Sequence, residues 1–280
     1  MCQDDSWRFQ KDNSVTLDNQ VAIVTGGATG IGKAIALALA AEGADIVVAD
    51  LNKDIATKTA AEIEALGVHS IAVVCDVTKP WMVEKLGATT VEKLGRLDIL
   101  INNAGVAGGP GWYEHARSRE EDWIACYEVN VKGIFNCIEA LAPIMKEQRS
   151  GKIVNLASIA GREGRPALPH YSASKAAVIN YTQSLAADMA QYDINVNAVC
   201  PGLLWTPMWG QVGQRYAQHN PEYAEMPARE VFDKMVKEII PLGREQTPED
   251  IGDCVAFLVS EDARNITGQT INVDGGAFMR

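Results

Sequence analysis

The chain has 280 residues, 47% of them hydrophobic and 22% charged, and a formal net charge of -11. That balance fits a globular protein with a sizeable core, and no run approaches the roughly 20 apolar residues of a membrane-spanning helix. The acidity, with no basic run anywhere, argues against a nucleic-acid partner, because phosphate contacts need clustered Lys and Arg.

Residues 1–14 are polar, with no apolar stretch of signal-peptide length. Six cysteines (Cys2, Cys75, Cys126, Cys137, Cys200, Cys254) are scattered without a C-x-x-C pair. That usage suggests a reducing compartment and no metal site, so a cytoplasmic location is expected. Residues 1–18 read as a loosely held N-terminal arm, followed by a single domain over 19–280.

Strand patterns then alternate with helical ones. Strands are expected over 20–25, 45–50, 70–75, 97–102, 151–157, 194–200 and 270–273. Most are nearly continuous apolar runs, such as Val21-Ala22-Ile23-Val24, which fit parallel strands covered on both faces. Helical patterns occupy 31–42, 54–66, 82–94, 120–146 and 171–191. This alternation predicts an α/β fold, a doubly wound parallel sheet of about seven Rossmann-like strands with helices on both faces. A long excursion over 203–240 follows the sixth strand and gathers Trp205, Met208, Trp209, Tyr216 and Tyr223. It is read as a substrate lid of short helices hinged at Pro207, Gly210, Gly213, Pro221 and Pro227, or else as a plain packing layer.

The chemistry begins after the first strand, in Thr25-Gly26-Gly27-Ala28-Thr29-Gly30-Ile31-Gly32. Gly26, Gly30 and Gly32 let the backbone approach a pyrophosphate, and the following helix points its unpaired N–H groups at the phosphates. Thr29 and Ile31 share that loop. Asp50, at the end of the second strand, can accept from adenosine ribose hydroxyls and would repel a 2′-phosphate, so NAD is expected over NADP. Asp76 could accept from the adenine amino group with Val77 on the ring, or Asp76 could simply cap a helix. Asn103, Ala104 and Gly105 form a small-residue turn at the same sheet edge.

Tyr171 and Lys175 lie four apart, on one helix face. A phenol titrates near pH 10 in water, and bringing it to neutrality takes about 4 kcal/mol of phenolate stabilisation. A neighbouring ammonium supplies the right sign. Ser158, after the fifth strand, could hold a substrate oxygen beside the tyrosine, or cap a turn.

Taken together, these motifs resemble the short-chain dehydrogenase/reductase family. The likeness covers residues 17–276 and includes the glycine motif, Asn102-Asn103-Ala104-Gly105, Ser158, Tyr171 with Lys175, Pro201-Gly202 and Asn272-Val273-Asp274-Gly275-Gly276. It implies that Tyr171 is the catalytic acid/base, that Lys175 binds the nicotinamide ribose and lowers the tyrosine pKa, and that Ser158 polarises the substrate oxygen. Asn130, in Glu128-Val129-Asn130-Val131, would hold a water for proton relay, and a π-bulge would explain an asparagine in mid-helix. Pro201, Gly202 and Thr206 would cover the nicotinamide. The family is commonly tetrameric, so a homotetramer is expected.

The expected activity is NAD-dependent hydride transfer to or from a secondary alcohol or carbonyl. The ending Val273-Asp274-Gly275-Gly276-Ala277-Phe278-Met279 resembles polyol and sugar dehydrogenases, which suggests a small polyhydroxy substrate. One alternative is a 3-oxoacyl reductase, against which Asp50 and the net charge both weigh. Another is a steroid-type carbonyl reductase, with Trp205, Met208 and Trp209 lining an apolar pocket. A non-catalytic, NAD-binding redox sensor is the alternative from another class.

Overall fold

The computed structural model describes residues 17–279, so most of the expected arm lies outside the described residues. Leu17, assigned to that arm from sequence, belongs instead to the core. It is 1% exposed, and its N–H donates to Glu42 O at 3.1 Å.

Seven parallel strands run in the spatial order β3-β2-β1-β4-β5-β6-β7. In chain order they are β1 (Val21–Thr25), β2 (Asp45–Asp50), β3 (Ser70–Val74), β4 (Ile99–Asn102), β5 (Gly151–Leu156), β6 (Ile194–Pro201) and β7 (Thr270–Val273). The helices are α1 (Gly30–Ala41), α2 (Lys53–Glu64), α3 (Pro80–Leu94), α4 (Glu120–Cys126), α5 (Gly133–Gln148), α6 (Pro169–Met189), α7 (Pro207–His219), α8 (Ala228–Ile239) and α9 (Pro248–Val259).

Continuous apolar strands are explained by cover on both sides. Ala22, Val24, Ile46 and Val48 pack against Ile35 and Leu39 of α1, Ile63 of α2 and Val255 of α9. Val21, Ile23 and Val47 pack against Leu86 of α3, Leu141 of α5 and Val178 of α6. Because β1 pairs with both β2 and β4, the chain winds away from β1 in two directions. The crevice above the carboxyl ends of β1 and β4 is where such sheets hold ligands.

Two expectations need correction. The helical pattern over 120–146 is not one α-helix: a π-helical turn, Tyr127–Lys132, separates α4 from α5. In the excursion, Pro207 and Pro227 do mark helix starts, but Gly210 and Gly213 lie inside α7. Gly213 is there for close approach, since a Cβ would stand 2.6 Å from Ala228 O at the start of α8.

Candidate active site

A cleft of about 570 Å³ opens at this carboxyl edge. Its floor is the turn between β1 and α1. Gly26 and Gly30 have φ of +62° and +55°, which favour glycine, and at Gly32 a Cβ would meet Gly26 O at 2.1 Å. At Gly30 nothing lies within 4 Å of the position a Cβ would take, so the backbone borders open space. Thr29 caps α1 without a side-chain bond, which leaves the first N–H groups of the helix for an anion. Open backbone, helix dipole and acid fit a dinucleotide.

That acid is Asp50. It lines the cleft, with Oδ2 accepting from Ala28 N–H at 3.2 Å and Oδ1 from Asn52 N–H at 3.0 Å. Lys33, the nearest basic residue of α1 to the glycine turn, is engaged by Glu62. Asp76 also lines the cleft but caps no helix; its Oδ1 accepts from the backbone and hydroxyl of Thr78 at 2.9 and 2.7 Å. Val77, Ala104 and Gly105 line the cleft as well. Asn103 borders it too, and also acts as a pin: its Nδ2 donates to Thr25 O and Gly26 O at 2.9 and 3.0 Å, joining the ends of β1 and β4.

Ser158, Tyr171 and Lys175 come together in the middle of the cleft. Ser158 follows β5 and caps a short turn, its Oγ accepting from Ala160 N–H at 3.1 Å. That bond uses a lone pair of the hydroxyl and leaves its proton for the Tyr171 phenol beside it. Lys175 Nζ donates to Leu156 O at 2.7 Å and lies 5.8 Å from the centre of the Tyr171 ring. Burial pushes the Tyr171 phenol up to about 12, and the Ser158 hydroxyl beside it pulls the other way. Burial also brings the Lys175 ammonium down to about 8.

Asn130 sits inside the π-helical turn, 0% exposed. Its Nδ2 donates to Val106 O and Ser174 Oγ, both at 2.9 Å, and its Oδ1 accepts from Val106 N–H at 2.8 Å. Both amide protons are thus committed to clamping the chain after β4 against α6. Three further pins were not foreseen. His170 Nε2 bonds Ala107 O at 2.7 Å, Asn102 Nδ2 donates to Asn155 Oδ1 at 2.9 Å, and Asn155 Nδ2 donates to Thr182 Oγ1 at 2.9 Å. The first and third tie the chain after β4 and the strand β5 to the helix that carries Tyr171, and the second joins β4 to β5.

At the far end the walls are apolar: Leu168, Leu203, Met208, Trp209, Val212 and Met235. Pro201, Gly202 and Thr206 border the cleft, and Thr206 also caps α7 by accepting from Trp209 N–H at 3.3 Å. Trp205 does not line the cleft. It is 37% exposed, stacked edge-on against Phe232 and beneath the Arg229 guanidinium. Arg215 of α7 was not foreseen either; it is 4% exposed and donates to Trp112 O at 2.6 Å, to His115 O and to Ala116 O. It ties the expected lid to the loop after β4.

A Rossmann-type sheet with a glycine cradle, an acid at the end of β2 and a serine–tyrosine–lysine cluster defines a nucleotide-binding oxidoreductase. Residues 26–277 match a family model described as enoyl-(acyl carrier protein) reductase, and the chain belongs to the short-chain dehydrogenase/reductase family. It is 37% identical to the 3-oxoacyl-(acyl-carrier-protein) reductase FabG of Thermotoga maritima, over 94% of this chain and 99% of that one. Among solved structures it is similar to an NAD+-bound xylitol dehydrogenase, at 33% identity and TM-score 0.87, covering 93% of this chain and all (100%) of that one. A 7α-hydroxysteroid dehydrogenase complexed with NADH and 7-oxo glycochenodeoxycholic acid follows, at 32% identity and TM-score 0.81, covering 94% and 96%.

Proposed function

We propose that the protein uses NAD(H) to interconvert a ketone and a secondary alcohol on a substrate with an apolar body, of the 3-oxoacyl or steroid-like kind. The observation that carries this reading is the wall of Leu168, Leu203, Met208, Trp209, Val212 and Met235 beyond Tyr171. Such a wall suits burial of hydrocarbon and offers few fixed partners for the several hydroxyls of a polyol. The small polyhydroxy substrate suggested by the chain ending is therefore set aside. The 3-oxoacyl reductase named among the relatives supports the same choice.

The dinucleotide would lie on Gly26, Thr29, Gly30, Ile31 and Gly32, with Asp50 at the adenosine ribose and Lys175 at the nicotinamide ribose. Bound there, it supplies or accepts a hydride and, when oxidised, adds positive charge near Tyr171. Ser158 donates its hydroxyl proton to the substrate oxygen and fixes it beside the phenol. Tyr171 gives up or takes the oxygen-bound proton, and Lys175 favours the phenolate through its charge. Asn130 holds the Val106 backbone and Ser174, and so sets the position of α6. The exposed Trp123, Ile124, Tyr127 and Phe135 on α4, the π turn and α5 support assembly as a homotetramer through that surface.

Cofactor choice is tested through Asp50. With an apolar ketone as co-substrate, kcat/KM is expected to favour NADH over NADPH by at least about tenfold, or 1.4 kcal/mol. Asp50→Ala narrows the gap, because it removes both the ribose acceptor and the repulsion of a 2′-phosphate. Wild-type protein that prefers NADPH would refute the assignment.

A further inference from the structure

One charged side chain opens into the apolar end of the cleft and takes no part in the proton chemistry. Arg165 lies in the loop between β5 and α6 and lines the cleft with Leu168 and Tyr216. Its backbone is anchored at both ends. The N–H donates to Ser172 Oγ at 3.1 Å, and the carbonyl accepts from Leu168 N–H at 2.9 Å. Arg165 is thereby fixed to the first turn of α6, the turn that also presents Tyr171.

The charges of the cleft are segregated. Among the described lining residues the carboxylates are Asp50 and Asp76, both at the nucleotide end, and the cations are Lys175, beside Tyr171, and Arg165. Among the described residues the one ion pair of Arg165 is with Glu163, at 3.5 Å, whose side chain is 58% exposed. An ion pair of that kind contributes little and yields to a better acceptor. Tyr216 reaches the same region from α7. Arg165 and Tyr216 line the same cleft, where burial raises the Tyr216 phenol pKa and the positive charges of Arg165 and Arg215 oppose that rise. A wholly apolar substrate would cover the guanidinium and strip its water without repayment. An anion would instead meet a planar donor fork suited to carboxylate or phosphate oxygens.

We propose that the substrate carries an anionic group remote from its reacting carbon, received at the mouth of the cleft by the Arg165 guanidinium with the Tyr216 hydroxyl. This rests on the assignment of the cleft to an apolar ketone or alcohol. The anion is either the terminal carboxylate of a free acid or the phosphate of a phosphopantetheine thioester; the recognition chemistry is the same.

The experiment uses the full chain with three probes: a medium-chain ketone ending in a carboxylate, its methyl ester, and an acetoacetyl thioester of phosphopantetheine. Binding is followed by quenching of tryptophan fluorescence, since Trp209 lines the cleft, and turnover by NADH consumption. Wild-type protein should bind the carboxylate more tightly than the ester. Arg165→Met should shrink that preference about thirtyfold, the weight of one charge-assisted hydrogen bond, while Arg165→Lys keeps most of it. Tighter binding of the thioester than of the free acid would identify the phosphate as the source of the anion. Equal binding of acid and ester by wild type, or a preference that survives in Arg165→Met, overturns the proposal. Charge-selective binding without turnover of any probe would sustain the anion site and sink the assigned activity.

Discussion

Tyr171→Phe is expected to lower kcat by at least about a hundredfold, the usual weight of a positioned general acid or base, while nucleotide affinity changes little. The substitution keeps the ring, which is packed in the cleft, and removes only the hydroxyl that Ser158 adjoins. Nothing in the glycine cradle or at Asp50 touches that oxygen. The proton chemistry also sets a pH dependence. Burial holds the phenol at about 12 in the free protein, so alcohol oxidation, which needs the ionised form, rises with pH across the neutral and mildly alkaline range. In Tyr171→Phe that rise disappears. Steady-state rates in both directions, with nucleotide titrations on the same variant, check this. A variant that keeps most of its activity would remove Tyr171 from the mechanism.

Lys175→Met should abolish most activity and yet stabilise the fold near neutral pH. Lys175 is 5% exposed, with one hydrogen bond, to Leu156 O. Its pKa falls from 10.5 to about 8, which corresponds to roughly 3 kcal/mol of preference for the neutral form. Below pH 8 the ammonium is charged in both the folded and the unfolded chain, so the fold carries the full cost of burying it. Between pH 8 and 10.5 the unfolded chain keeps the proton and the folded one releases it, so this cost declines as pH rises. Methionine fills similar space without a charge, at the expense of the bond to Leu156 O. The expected result is a Tm a few degrees above wild type at pH 7, with the difference shrinking towards pH 10. Calorimetric scans of the two proteins across that range measure it. A lower Tm for the variant at every pH would show that the ammonium supports the fold.

The sheet was legible because its strands are buried on both faces, so each appears as an unbroken apolar run between helical patterns. Strands 45–50 and 270–273 match to the residue. The glycine turn, Asp50, Ser158, Tyr171 and Lys175 were legible because each stands at a strand end or on one helix face, where local spacing fixes position. The π-helical turn was less so: it interrupts a helix without interrupting the apolar pattern, and its one trace in sequence is Asn130. Trp205 was misplaced because spacing after Pro201-Gly202 gives a distance along the chain and not a side of the turn. Arg215, His170 and Asn155 were missed for a different reason. Their partners lie far away in the chain, 103 residues in the case of Arg215 and Trp112 and 63 for His170 and Ala107, and such pairs exist only once the sheet has formed.

The central claim is that hydride passes between a nicotinamide and a substrate carbon in the cleft beside Ser158 and Tyr171. Its most direct test is to incubate the protein with an apolar ketone and NADH doubly deuterated at the reactive ring carbon, then weigh the product alcohol by mass spectrometry. The account predicts one deuterium, located on the carbinol carbon, in the wild-type product and almost none formed by Tyr171→Phe. An alcohol without deuterium, or equal labelled product from both proteins, would contradict it.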